Sequence, residues 1–370
     1  MKRQSEITLL GIKKNTELYT SILATYHCAG NLSQPHKNES HIKDLIMIDK
    51  LNEDLCVNEH YRVRAHGPQK EAFYGYVKGY LYERGYDGRA DGGFQDKKGA
   101  VNLVFGNETD ADIFLTAHYD TPKNSATLPS FFVTNTAGIF ADVIMGLLYI
   151  FIAFGVTALI GIFAGWYYAA AYFVLGLTWA ASNFARDNKF NFNDNTSGCI
   201  ALMEIADKIA NECPEIKDKL CFVFFDKEET GAQGSKKLKK RLSASLSPEI
   251  YRSKIFLNFD CVGGRDKDLN IYVYTDDGIK LAEEIKKYAP GQKEITVFKT
   301  SLLPTDANNF KDARAMTFIS TSKRLFYPLS KLKDAHTKND RYLDGNMIGY
   351  YTQTVVSYIK GTKTGGQTGA

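Results

Sequence analysis

The sequence has little net charge and no cysteine framework. Its 46 basic and 42 acidic residues leave a formal net charge of +4. Because the two signs are interspersed, no nucleic-acid-binding surface is expected. The six cysteines are scattered without a CxxC pair, which is typical of thiols in a reducing compartment. Lys2, Arg3 and Glu6 interrupt the first residues, so no secretory signal is expected, and the bulk of the chain is predicted to be cytoplasmic.

One long segment contains neither a charge nor a proline. It runs over 43 residues, from Val143 to Ala185, and as helix it would measure about 65 Å, roughly twice a bilayer core. We therefore predict a hydrophobic helical hairpin over residues 139–184, with its turn near Gly161 and Gly165. A hydrophobic lid, an oligomer interface or a re-entrant hairpin remain alternatives, because the predicted turn is itself apolar.

The residues that flank this segment suggest how it would sit in a membrane. Lys123 precedes it, and Arg186 and Lys189 follow it. Basic residues at both ends favour both ends in the cytoplasm. An even number of crossings also returns the chain to the side it left. The sequence thus predicts a membrane-associated protein whose catalytic domain is cytoplasmic.

Outside the hairpin, short apolar runs alternate with helical patterns. This alternation predicts an α/β fold with a mostly parallel mixed sheet and helices on both faces. Residues 1–60 are predicted to be a helical extension packed on a main domain of residues 61–360, and residues 361–370 a flexible tail. The predicted strands include Ile113–Ala117, Leu220–Phe225, Ile255–Phe259, Asn270–Tyr274 and Met316–Ser320, and the predicted helices include Ser235–Leu242, Ile279–Tyr288 and Asn346–Lys360.

The first residues suited to chemistry follow the apolar run that ends at Ala117. His118 and Asp120 are two positions apart, so on a strand both would project from the same face. A metal-bound imidazole usually donates its other N–H to a carboxylate, and Asp120 is spaced for that role. A surface histidine beside an aspartate would give the same pattern, so this motif is weak alone.

Five further residues follow strand ends or precede helices. Asp194 begins the motif DNTSG before a helical pattern, and Glu228 and Glu229 follow the strand run LCFVFF. Asp260 ends another apolar run, and His336 lies in a loop before the last helix. Each alone is equally typical of a turn or a helix cap. Together with His118 they form a set of nitrogen and oxygen donors without thiolates, which suits zinc, cobalt or manganese.

The order AHYD, DNTSG, KEETG, NFD and AHT resembles the co-catalytic zinc aminopeptidases, the group that includes bacterial leucine aminopeptidases, glutamate carboxypeptidases and glutaminyl cyclases. The resemblance covers roughly residues 62–360 apart from the apolar insertion. It implies two zinc ions per chain, with His118 and Asp260 on one, Glu229 and His336 on the other, and Asp194 bridging both. It also implies that Glu228 is the general base, that Asp120 supports His118, and that the Asp194–Asn195 peptide bond is a candidate for the cis form.

The resemblance implies a metal-dependent aminopeptidase that hydrolyses peptides with a free N-terminus. The stretch around Asp306 departs from the family pattern, because Ala307 stands where the family usually has a histidine. Two other functions remain open. One is a glutaminyl cyclase of the same fold, which uses a single zinc, and the other is a membrane-tethered binding protein without catalytic activity.

Overall fold

A computed structural model describes residues 45–96, 99–123, 132–133, 136–184, 186–265, 268–291, 293–300, 303–323, 330–332 and 334–365. Most of the predicted N-terminal extension therefore lies outside the described residues. The unit that the structure describes begins at Leu45, and residues 45–57 contribute Ile48, Leu51 and Leu55 to the main core.

Within the described residues, the centre of the fold is a mixed sheet of ten strands. They are β1 Gly88–Ala90, β2 Leu103–Phe105, β3 Ile113–His118, β4 Phe132–Val133, β5 Leu220–Phe225, β6 Ile255–Phe259, β7 Asp268–Val273, β8 Ile295–Lys299, β9 Arg314–Lys323 and β10 Ser330–Leu332. The order of the sheet is β1-β2-β5-β3-β6-β9-β10-β4, and β7 pairs with both β8 and β9. The four central strands β5, β3, β6 and β9 are parallel, and the outer pairings of β1, β2, β10 and β4 along this path are antiparallel. Strand β7 is antiparallel to β9 and parallel to β8.

The alternation of side chains along the central strands produces a core on each face of the sheet. On β5, Phe222 and Phe224 belong to the larger core, whereas Val223 and Phe225 belong to the core on the other face. Strands buried on both faces read as continuous apolar runs, which is why the run LCFVFF was recognisable. The predicted α/β fold with helices on both faces is confirmed.

The helices that cover the sheet are longer than predicted at several ends. The last helix continues to Gly365, so 361–365 is helical where a flexible tail was predicted. Residues 366–370 lie outside the described residues. The named helices are α1 residues 45–52, α2 Gly67–Tyr82, α3 Thr136–Ala164, α4 Trp166–Phe184, α5 Gly198–Glu212, α6 Gln233–Ser245, α7 Pro248–Ser253, α8 Asp276–Lys286 and α9 Gly345–Gly365.

Helices α3 and α4 form the predicted hairpin. The rings of Phe154 and Phe173 lie 5.7 Å apart across it. Gly165 has a φ of +102° between the two helices, a conformation that suits glycine. A Cβ on Gly161 would lie 2.6 Å from the ring of Trp166, so the close return of the chain requires glycine there as well.

Candidate metal centre

His118 is the last residue of β3 and is almost fully buried, at 2% exposure. Its Nδ1 lies 3.2 Å from the backbone oxygen of Asp120 and 3.6 Å from the carboxylate Oδ1 of the same residue. The closer partner is therefore the carbonyl and not the carboxylate that was predicted to support the ring. A carbonyl acceptor fixes the tautomer equally well, since it leaves Nε2 with a free lone pair.

The Asp120 carboxylate instead holds the next strand end. Its Oδ1 accepts the backbone N–H of Glu228 at 3.0 Å, and its Oδ2 accepts that of Glu229 at 3.3 Å. These two contacts position both predicted functional glutamates after β5. Burial would raise the pKa of Asp120, but the contacts with His118, Lys70 and the Glu228 N–H lower it below its usual value. Asp120 is thus ionised, and its carboxylate connects the end of β3 to the residues that follow β5.

Asp194 lies in a tight turn, Phe192–Ser197, that leads into α5. The Asp194–Asn195 peptide bond is cis, as the resemblance implied. The backbone N–H groups of Asn193 and Asp194 donate to the two carboxylate oxygens of Asp340, at 2.8 and 3.0 Å. The turn is therefore fixed from outside by a second buried carboxylate, in the same manner as Asp120 fixes the two glutamates.

The Asp194 carboxylate lies between two imidazole rings. Its Oδ1 is 3.3 Å from His118 Nε2, and its Oδ2 is 2.9 Å from His336 Nε2. His118 Nε2 is also 3.9 Å from Asp260 Oδ1, and His336 Nε2 is 3.1 Å from Glu229 Oε2. The structure thus brings all five predicted ligands together, in two groups that share Asp194.

These two groups fit a pair of divalent metal ions. Zinc lies about 2.0–2.2 Å from nitrogen and oxygen ligands, so two ligand atoms of one tetrahedral site are about 3.3 Å apart. The nitrogen–oxygen distances of 2.9–3.9 Å bracket that value. Glu229 Oε1 is buried and has no hydrogen-bond partner among the residues that the structure describes. A buried lone pair without a donor normally has a cation or water as its partner, which supports a metal position beside Glu229.

The electrostatics of the site also favour cations. Burial, together with the charge of Asp194, raises the pKa of Glu229 to about 7. Burial likewise raises the pKa of Glu228 well above its usual range and that of Asp260. Burial would lower the pKa of His336, but the charges of Glu229 and Asp194 raise it. So many carboxylates in one buried cluster are costly unless positive charge compensates them.

The backbone around the site is held in an uncommon conformation. Lys227, Cys261 and His336 have φ values of 55°, 53° and 59°, in the left-handed region that side chains with a Cβ disfavour. His336 is a predicted ligand, Cys261 follows the predicted ligand Asp260, and Lys227 precedes the predicted base Glu228. Such conformations cost about 1–3 kcal/mol each and occur most often at functional sites.

Two residues that sequence analysis did not single out support the site from behind. Arg64 is fully buried; its Nη2 donates to Thr196 Oγ1 at 2.9 Å, and its Nε donates to the Tyr119 carbonyl. It therefore links the end of β3 to the turn of Asp194. Asp340 is the other, through its contacts with that turn. The only local signal was that Asp340 closes the motif around His336.

Asp306 is buried in the short turn Asp306–Phe310, and burial raises its pKa to about 7. Its neighbour Ala307, where the family usually has histidine, is 1% exposed and packs with Phe310 in the smaller core. Asp306 adds a further carboxyl group beside the predicted metal ligands, whose charges also act on its pKa.

Comparisons with known proteins agree with this geometry. Residues 185–356 match a sequence model of peptidase family M28. No curated protein matches the sequence. The chain spans 50% of the length of BSAP, a zinc aminopeptidase from Bacillus subtilis.

Three solved structures share the fold at low identity. A glutaminyl cyclase from Porphyromonas gingivalis is 14% identical, with 86% of this chain and 97% of that chain covered and a TM-score of 0.56. A Zn-dependent exopeptidase from Parabacteroides distasonis is 16% identical, covering 85% and 96% with a TM-score of 0.54. The LapA aminopeptidase of Legionella pneumophila is 14% identical, covering 85% and 70% with a TM-score of 0.53.

The family match covers 172 of the 370 residues, and the shared fold agrees with it. The match to family M28 begins at the return from the apolar hairpin and includes Asp194, Glu229, Asp260 and His336. His118 lies before it but is brought to the same centre by the sheet. The chain thus has the fold of the zinc exopeptidases, and its resemblance to the co-catalytic zinc peptidase group is confirmed.

Proposed function

We propose that this protein is an aminopeptidase that uses two zinc ions. The observation that carries the proposal is the position of Asp194, whose two carboxylate oxygens face the Nε2 atoms of two different histidines. A carboxylate that bridges two metals needs this arrangement. His118 and Asp260 would complete one metal site, and Glu229 and His336 the other.

Zinc ions held in this way would lower the pKa of water and polarise the carbonyl of the scissile peptide bond. Glu228 would accept the proton of the attacking water and deliver it to the leaving amine. Burial raises its pKa, which suits a group that must both take and release a proton near neutral pH. The Asp120 carboxylate would hold Glu228 in place through the backbone N–H. The acidic cluster would attract the ammonium group of a free N-terminus.

A glutaminyl cyclase with one zinc is the second candidate. The observation in its favour is that the two groups are not equally compact. His336 lies 2.9 and 3.1 Å from its partners, whereas His118 lies 3.3 and 3.9 Å from its own. The compact group of Asp194, Glu229 and His336 could hold a single ion by itself.

Metal content and product together distinguish these functions. The purified protein is loaded with zinc, its metal content is measured, and it is assayed on a panel of aminoacyl anilides and on peptides with N-terminal glutamine. Two zinc ions per chain and released free amino acids are expected. One zinc ion and cyclised glutamine would favour the cyclase. Two bound ions without turnover on any peptide would favour the binding protein.

Two matched variants sharpen the test. His118→Ala and His336→Ala should each lower the metal content from two ions to one, because each removes a ligand from a different group. In a cyclase, His118→Ala would leave the single ion in place and only His336→Ala would remove it. Chelation should abolish activity, and zinc or cobalt should restore it.

A further inference from the structure

The apolar hairpin presents hydrophobic side chains in every direction. Leu147, Leu148, Tyr149, Ile150, Phe151 and Ile152 are consecutive in α3, and each is at least 38% exposed. Successive residues of a helix are 100° apart, so six of them cover the whole circumference. A second copy of the chain, or a lid closing on the catalytic unit, would cover one side only. A surrounding apolar medium covers all of them.

The length of the hairpin matches a bilayer. Residues 143–164 of α3 and 166–184 of α4 carry no charge and measure about 33 and 28 Å, close to the 30 Å of a hydrocarbon core. By length and composition, Leu147–Ala164 could cross a membrane and is almost wholly unburied. Helix α4 is less apolar because Trp166, Tyr167 and Tyr168 begin it. They are 68–94% exposed, as aromatic residues at a membrane interface would be.

The hydroxyls of Thr157 and Thr178 are satisfied within the hairpin. The hydroxyl of Thr157 donates to the carbonyl of Ala153 at 2.8 Å, and that of Thr178 donates to Val174 at 2.8 Å. A side chain that bonds to its own helix needs no water or partner protein, and this is the arrangement that hydrocarbon tolerates.

The two ends of the hairpin leave the catalytic unit side by side. Lys123 forms an ion pair with Asp187, and the N–H of Asn188 donates to the Pro122 carbonyl at 3.0 Å. Arg186 and Lys189 are exposed at the same root. The chain therefore enters and leaves the hairpin at one place, and this place carries basic residues of the kind that favour the cytoplasmic side of a membrane.

From these observations we infer that α3 and α4 span a lipid bilayer, with the tip at Tyr167 on the far side and the catalytic unit on the cytoplasmic face. The root is joined to the metal centre, because Asn188 Nδ2 donates at 3.2 Å to the carbonyl of Thr337, next to His336. Asp194 follows Phe184 by ten residues, so the centre lies at most about 35 Å from the bilayer. If the proposed function is right, peptides at the membrane surface are its substrates.

The first experiment measures membrane binding without any activity assay. The full chain, purified in detergent, is reconstituted with vesicles of phosphatidylcholine and phosphatidylglycerol and floated on a density gradient. Wild type should float, and Ile152→Lys combined with Leu175→Lys should not, since a lysine at mid-bilayer lowers partitioning about a hundredfold. Ile250→Lys is the matched control, because Ile250 is 49% exposed on the catalytic unit and Ile152 50% exposed on the hairpin.

Wild-type protein that stays soluble and monodisperse without detergent, and does not float, would overturn the inference. The inference is also overturned if the double lysine variant floats to the same extent as Ile250→Lys. Zinc content measured on each preparation shows whether the catalytic unit is intact. A failure of the membrane inference can therefore be told from a failure of the proposed enzyme.

The second experiment tests whether the hairpin crosses the bilayer. Tyr167→Cys and Lys189→Cys are made in a Cys28→Ser background and expressed in a bacterial host. A membrane-impermeant maleimide should label Tyr167→Cys in intact cells and Lys189→Cys only after lysis. Labelling of neither in intact cells would indicate a re-entrant hairpin, and the reverse pattern would indicate an external catalytic unit. Either result would refute the inferred topology.

Discussion

The hydrogen bonds between Asp340 and the Asp194 turn allow a specific test of how the metal centre is held. Both carboxylate oxygens of Asp340 accept a backbone N–H, one from Asn193 and one from Asp194. Burial raises the pKa of Asp340. The two N–H donors, one facing each oxygen of Asp340, nevertheless favour its ionised form. If one oxygen were protonated, its O–H group would face an N–H group, and two donors would oppose each other.

Asp340→Asn replaces one accepting oxygen with an amide that can only donate. One backbone N–H of the turn then faces a donor, and a hydrogen bond to a charged acceptor worth about 1.5–3 kcal/mol is lost. At about 1.4 kcal/mol per factor of ten, this corresponds to roughly 10–150-fold. The loss should appear as weaker zinc binding, because Asp194 is the residue shared by both groups. A fall in kcat/KM of similar size is expected.

The assay is competition for zinc with a chromophoric chelator, together with thermal unfolding of the zinc-free protein. Asp344→Asn is the control. Asp344 accepts the N–H groups of Asn346 and Met347 at the start of α9, and asparagine serves that role equally well. Wild-type zinc affinity in Asp340→Asn would refute the reasoning and would mean that Asp340 is protonated or that the turn holds itself.

Three further predictions concern the base, the buried arginine and the thiols. Glu228→Gln should retain both zinc ions but lower kcat by about 10²–10⁴-fold; loss of zinc in this variant would point to Glu229 as the base. Arg64→Lys should lower the free energy of unfolding by about 3 kcal/mol in denaturant titrations, since lysine cannot keep the hydrogen bonds of the guanidinium. Arg62→Lys, in an exposed ion pair, is the control and should cost under about 1 kcal/mol. Equal effects would contradict the linking role of Arg64. Burial raises the pKa of Cys199 to about 11, so its thiol stays protonated at pH 8. In a Cys28→Ser background, a thiol reagent should therefore react with the protein only after unfolding. Rapid reaction of the folded protein would count against the buried position of Cys199.

Part of the metal centre could be predicted because it follows the rules of parallel sheets. His118 is the last residue of a buried strand, Asp260 directly follows one, and Glu229 lies four residues after one. The carboxyl ends of neighbouring parallel strands meet at one edge, and His118 pairs in register with Phe225. Proximity of these three residues is thus a consequence of the strand pattern.

Asp194 and His336 could not be placed in this way. Both lie in turns, and their positions depend on contacts between residues far apart in sequence, such as Asp340 with Asp194. No hydrophobic period marks such contacts, so the sequence offered both residues as donors, but only the resemblance to a family placed them at one centre. Arg64 was missed for the same reason. In a sequence, an arginine is expected at the surface, and only its hydrogen bonds to Tyr119 and Thr196 show that Arg64 is buried.

The insertion of a long hairpin between His118 and Asp194 is compatible with one metal centre because its ends are tied together. The Lys123–Asp187 pair closes the insertion, so its length adds little to the entropy cost of bringing the two ligands together. The chain entering the hairpin also forms β4, which pairs with β10, and the loop after β10 carries His336. The hairpin is therefore joined to the centre through both His118 and His336. A bilayer that held α3 and α4 would for this reason orient the whole catalytic unit, and not merely retain it nearby.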